Sequence, residues 1–116
     1  MIKIPNGAGG TGESRVNGFC KEKYCEPCEP EVLASVFCSY YGVPEPVLHK
    51  LPLRRSGRWG GRYTSKTHQV AYTIEWTGLV IHELAHHIDR MLNKNSKDWH
   101  GEEFSRILQE MVDYWR

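Results

Sequence analysis

The stretch Thr77-Gly78-Leu79-Val80-Ile81-His82-Glu83-Leu84-Ala85-His86-His87-Ile88-Asp89-Arg90-Met91-Leu92 decides how this chain is read. Val80, Leu84, Ile88 and Met91 recur at helical spacing, which predicts a helix from about Gly78 to Asn93 with Thr77 as its cap. At about 100° per residue, His82 and His86 fall on the face opposite that apolar stripe. One side of the helix is expected in the core and the other turned to a cleft.

Histidines four residues apart on a helix project from one face about one turn apart, so both imidazoles can reach one ion. Neutral imidazoles bind zinc strongly, and three protein ligands leave a fourth position for water. Zinc lowers the pKa of such a water to about 7, which lets a neighbouring carboxylate take its proton at neutral pH. Glu83 is that carboxylate. The pattern points to peptide-bond hydrolysis with one catalytic zinc on His82 and His86 and with Glu83 as general base. A third ligand must come from elsewhere. His100, beside Gly101, and the carboxylates Glu102, Glu103 and Glu110 are all chemically permitted, and the suitability of imidazole for zinc favours His100. Glu102 and Glu103 equally suit the start of a helix. His87 sits at the stripe's edge and reads as a core residue or one that supports a ligand from behind, rather than as a ligand. His49 and His68 read as strand or turn histidines, and Asp89 as a solvated charge that can also orient a ligand histidine. Tyr63, Tyr72 and His87 are the candidates for an additional transition-state donor.

Upstream, Pro30 and Gly42 bracket a first helix, Pro30 to Tyr41, with Val32, Leu33, Val36, Phe37 and Tyr40 as its apolar stripe. Val47-Leu48, Arg58 to Tyr63 and Gln69 to Ile74 read as strands, the last two joined by a hairpin at Thr64-Ser65-Lys66-Thr67. Val70, Tyr72 and Ile74 alternate with Gln69, Ala71 and Thr73, which predicts one buried face. Downstream, Phe104, Ile107, Leu108, Met111 and Trp115 mark a third helix. The expected fold class is α+β: three helices packed on a small antiparallel sheet, in one domain over 19–116. Residues 1–18 are expected to be a flexible leader. Its Gly7-Ala8-Gly9-Gly10-Thr11-Gly12 matches the dinucleotide fingerprint letter for letter, but no buried strand precedes it and no helix follows, so chance glycine clustering is the better reading.

The chain has 116 residues, 40% hydrophobic and 25% charged, with a net charge of +1. That is the profile of a soluble globular protein rather than a disordered or membrane chain. No secretory signal is visible at Met1-Ile2-Lys3-Ile4-Pro5-Asn6, so a cytoplasmic location is the default expectation, and a monomer is expected. Between Pro46 and Ile74 there are six basic residues and no acidic one. Arg54, Arg55, Arg58, Arg62 and Lys66 are accordingly candidates for contact with DNA, or else a solvated loop and hairpin. The four cysteines suggest a second, structural zinc at Cys20, Cys25, Cys28 and Cys38, because Cys25-Glu26-Pro27-Cys28 has the gap that lets two thiolates share one ion. The alternative is that Cys38 is simply a buried helix residue.

His82-Glu83-Leu84-Ala85-His86 followed by His100-Gly101-Glu102-Glu103-Phe104 resembles the SprT-like zinc peptidases, whose pattern is H-E-x-x-H and then H-G-x-x-F. Gly60-Gly61-Arg62-Tyr63 is similar to that family's glycine-containing hairpin before the active helix. The resemblance implies a zincin-like fold, three histidine ligands at His82, His86 and His100, a catalytic Glu83, and substrates that include DNA-bound proteins. Two other readings compete. One is a small nucleic-acid-binding module with a structural cysteine zinc; the other is a regulator-cleaving H-E-x-x-H peptidase with a carboxylate as third ligand.

Overall fold

The computed structural model of the chain describes residues 26–52, 60–94 and 101–115, so the leader 1–18 lies outside it. Proline and glycine delimit the first helix, α1 (Pro30–Tyr41), as the sequence predicts. Pro30 occupies a first-turn position whose N–H would find no helical partner, and Gly42 closes the helix at φ 68°.

Three strands follow: β1 (Val47–Lys50), β2 (Gly61–Thr64) and β3 (Gln69–Tyr72), in the spatial order β1-β3-β2. The hairpin at residues 65–68 makes β2 and β3 antiparallel, with Gly61 opposite Tyr72 and Tyr63 opposite Val70. β1 pairs with the other edge of β3 in parallel, Leu48 opposite Val70. The expected antiparallel sheet is therefore mixed. The chain between β1 and β2 carries β2 to the far edge, and β3 returns between them in the direction of β1. Being central, β3 is covered on both faces: Val70, Ala71 and Tyr72 are all buried, where alternation predicts only every second residue.

The long helix α2 (Thr77–Leu92) begins one residue earlier than predicted, with Trp76 at its N-cap. Thr77 has another role. Its backbone N–H and its Oγ1 both donate to the Glu26 carbonyl, at 2.9 and 3.1 Å, while the Cys28 N–H donates to the Glu75 carbonyl at 3.0 Å. The residues before α1 are thereby tied to the start of α2. The last helix, α3 (Glu102–Trp115), buries Phe104, Ile107, Leu108, Met111 and Val112, with its first turn closed by the Ser105 N–H on the Gly101 carbonyl at 3.0 Å.

α1, β2, β3 and α3 all pack on α2, which is buried without a break from Thr77 to Asp89. The expectation of a helix with one open side is thus corrected: its polar face is roofed as well. α1 is turned one step from its predicted face. Leu33, Ala34, Phe37 and Cys38 are buried, whereas Val32 and Tyr40 are 48% and 66% exposed. Small Ala34 at the centre of the buried face lets α1 approach the core closely, which a face centred on Val36 would not. Among the described residues no helix is long and apolar enough to cross a membrane.

Candidate metal centre

His82 and His86 stand one turn apart on α2, only 9% and 6% exposed. Their ring centres are 5.1 Å apart at an interplanar angle of 77°. Two imidazoles bound through nitrogen at about 2.0–2.1 Å to one tetrahedral zinc have ring centres roughly 5 Å apart, so the pair fits a shared ion. Phe104 of α3 holds both rings. It stacks on His86 at 4.3 Å and meets His82 edge-on at 5.4 Å. A fully buried phenyl against both imidazoles restricts their orientation by packing.

Glu83 follows His82 and turns toward β2. It is 7% exposed, and burial pushes its carboxyl up to about 7, from an ordinary value of 4.5. Room for it is made by Gly61. A methyl group there would meet Glu83 Cγ at 2.8 Å, and Glu83 Oε2 and the Ala71 carbonyl oxygen at 3.2 Å. Sequence reasoning noted the glycine pair but not this role, although an interior strand glycine signals close approach.

Two residues further along β2, Tyr63 faces α2 as Gly61 does. Its hydroxyl lies 3.1 Å from His87 Nδ1 and 3.1 Å from His68 Nδ1, and His87 Nε2 lies 2.7 Å from the Pro44 carbonyl oxygen. A carbonyl only accepts, so His87 Nε2 carries the proton. Burial pushes the His87 pKa below the ordinary imidazole value, which leaves the ring neutral and its Nδ1 an acceptor. The Tyr63 hydroxyl then donates to His87 and accepts from the Nδ1–H of His68. β2 and α2 are thus matched two residues to four: Gly61 with Glu83, Tyr63 with His87. The steps agree, since two strand residues span about 6.6 Å and four helical residues about 6 Å. His87 is the core residue expected of it, and Tyr63 is a structural pin. Tyr63→Phe is expected to destabilise the fold by about 1–3 kcal/mol in urea denaturation, because His87 Nδ1 loses its donor inside the core. A midpoint unchanged from wild type would refute that role.

The other candidates are placed as follows. Asp89 is 2% exposed and accepts from the Asn93 side chain at 2.9 Å, so it is buried rather than solvated. Glu103 pairs with Arg106 at 2.8 Å, and Glu110 accepts from Tyr41 at 2.8 Å and from Arg106 at 3.0 Å. Among the described residues no three His, Cys, Asp or Glu side chains are grouped to hold a metal. Glu102, Glu103 and Glu110 are thus not grouped with the histidine pair in this structure. His100 lies outside the described residues, immediately before Gly101 at the start of α3. Cys38 is a buried helix residue and Cys28 is half-buried, and burial pushes their thiols up to about 12 and about 11. Cys20 and Cys25 lie outside the described residues. Arg62 and Lys66 are exposed on β2 and its turn, while Arg54, Arg55 and Arg58 lie outside.

No protein-family model, curated protein or solved structure matches this chain. The site is accordingly read from its own chemistry: two packed imidazoles, an adjacent buried carboxylate with a raised pKa, and a glycine that accommodates it. A buried carboxylate with a strongly raised pKa beside two packed imidazoles marks a candidate functional site.

Proposed function

We propose that the protein is a zinc-dependent metallopeptidase of the SprT-like kind, with His82, His86 and His100 as ligands and Glu83 as general base. The observation that carries this reading is the joint placement of the two imidazoles and Glu83, a carboxylate held near neutral pKa by burial. A bound zinc supplies Lewis acidity, polarising a peptide carbonyl and easing removal of a proton from water. Glu83 Oε would take the proton of the attacking water and deliver it to the departing amine. Phe104 keeps the ligand rings in place and excludes water from their outer side. The proposed substrates are proteins or peptides, DNA-associated ones among them, which Arg62 and Lys66 would meet from the exposed side of the hairpin.

Zinc content tests the reading. One tightly held ion per chain is expected, lost in His82→Ala, His86→Ala and His100→Ala. An ion retained by all three variants and released by Cys25→Ser would replace the peptidase with a module built on structural zinc. An ion kept by His100→Ala alone would transfer the third position to another ligand.

A further inference from the structure

The stripe of α2 that carries His82 and His86 does not end with them. At about 100° per residue Asp89, three residues beyond His86, falls within about 60° of both on the helix surface. It is 2% exposed and stands in the last turn of α2, where the negative end of the helix disfavours a carboxylate. One oxygen, Oδ1, accepts from the Asn93 amide at 2.9 Å. The other meets no donor among the described residues. Arg90 and Arg106 act on the carboxyl electrostatically without forming an ion pair with it, and Arg106 is held by Glu103 and Glu110. A carboxylate offers about four acceptor sites, and leaving them unused inside a protein is costly. The second oxygen of Asp89 therefore lacks a donor that the described residues do not supply.

α3 shows where that donor comes from. Glu103 and Arg106 both act on Asp89, so the first turn of α3 lies beside it. Gly101 opens that turn, and Phe104, three residues on, rests against both imidazoles. Residue 100 is joined to Gly101 by a single peptide, which sets their Cα atoms about 3.8 Å apart. The end of α3 from which it departs is thus bracketed by Asp89 on one side and the histidine pair on the other. A histidine that gives one ring nitrogen to a metal keeps a proton on the other, and a carboxylate is a common acceptor for it. We propose that Asp89 is a positioning residue of the metal centre, its second oxygen accepting the ring N–H that His100 retains as a zinc ligand; this rests on the ligand assignment above. The bond would orient the ring and make it a stronger ligand, while Asn93 keeps the carboxyl from turning away.

A double-mutant cycle on the full chain tests this, with zinc affinity read by competition with a chromogenic chelator. Asp89→Asn keeps the shape of the side chain but loses an acceptor oxygen, and it should weaken zinc binding by about 10–100-fold. In a His100→Ala background, already weakened, the same change should alter affinity by less than about twofold. A role in packing alone would act whether or not His100 is present, so an equal loss in both backgrounds overturns the assignment, as does no loss in either. A second measurement needs no Asp89 variant to fold. In the zinc-loaded wild-type chain one ring N–H resonance, absent from His100→Ala, should lie downfield and exchange slowly with water; a chain without it overturns the bond. If His100→Ala holds zinc as tightly as wild type, the third-ligand reading itself fails, and the role of Asp89 falls with it.

Discussion

Glu83→Gln is expected to keep its zinc and to lose peptide hydrolysis by about 10²–10⁴-fold in kcat, the range that a positioned general base contributes. The amide preserves the volume that Gly61 accommodates, so the fold survives, but it cannot accept a proton. The same substitution separates the role of Glu83 from a structural one through the pH dependence of stability. In the metal-free protein the carboxyl titrates at about 7 rather than 4.5, because burial disfavours its charged form. A carboxyl raised in the folded state contributes stability that is present below pH 4.5 and is lost as pH climbs through about 7. At 1.36 kcal/mol per unit the loss amounts to about 3 kcal/mol. Urea denaturation of zinc-free wild type and Glu83→Gln should give similar stabilities at pH 5. At pH 8 the variant should be the more stable by up to about 3 kcal/mol. Equal stabilities at both pH values would mean that Glu83 is not held in a dry site. Undiminished hydrolysis by the variant would remove it from the mechanism.

The helices were legible because their signals are local. Pro30 and Gly42 punctuate α1 whatever surrounds it, and the spacing of Val80, Leu84 and Ile88 identifies α2 without reference to any partner. The faces were less legible. In α1 two overlapping stripes, Val32-Val36-Tyr40 and Leu33-Phe37-Tyr41, are equally periodic, and only contact with the core selects the second. The sheet's parallel pair depends on which edge of β3 residues 51–60 lead to, a long-range choice that leaves no periodic trace. For the candidate site, the motif singles out His82, His86 and Glu83 by type and spacing. It could not give what holds them. The stacking of Phe104 depends on how α3 packs back on α2. The space beside Gly61 and the Tyr63–His87 pin depend on the lateral match of a strand to a helix more than twenty residues away in sequence. Asp89 is misread as solvated for the same reason: a helix covered on all sides has no solvent face to which charge patterning can point.

That lateral match makes Gly61→Ala the most informative substitution outside the motif. Its backbone needs no left-handed conformation, so the effect is one of space rather than of φ. The added methyl would lie 2.8 Å from Glu83 Cγ, and either β2 must move outward or the carboxylate must swing away. A displacement of about 1 Å in a catalytic group lowers rates by about 10²-fold, so a fall in kcat of that order is expected with zinc retained. Overpacking of this kind also destabilises a core by about 1–3 kcal/mol. Both effects trace to one contact, which a double-mutant cycle isolates. In a Glu83→Ala background the clashing Cγ is gone, and Gly61→Ala should cost little beyond the 3.2 Å approach to the Ala71 carbonyl. If the methyl costs the same with and without the Glu83 side chain, the strand is being pushed off Ala71 instead, and Gly61 has no direct part in placing the base.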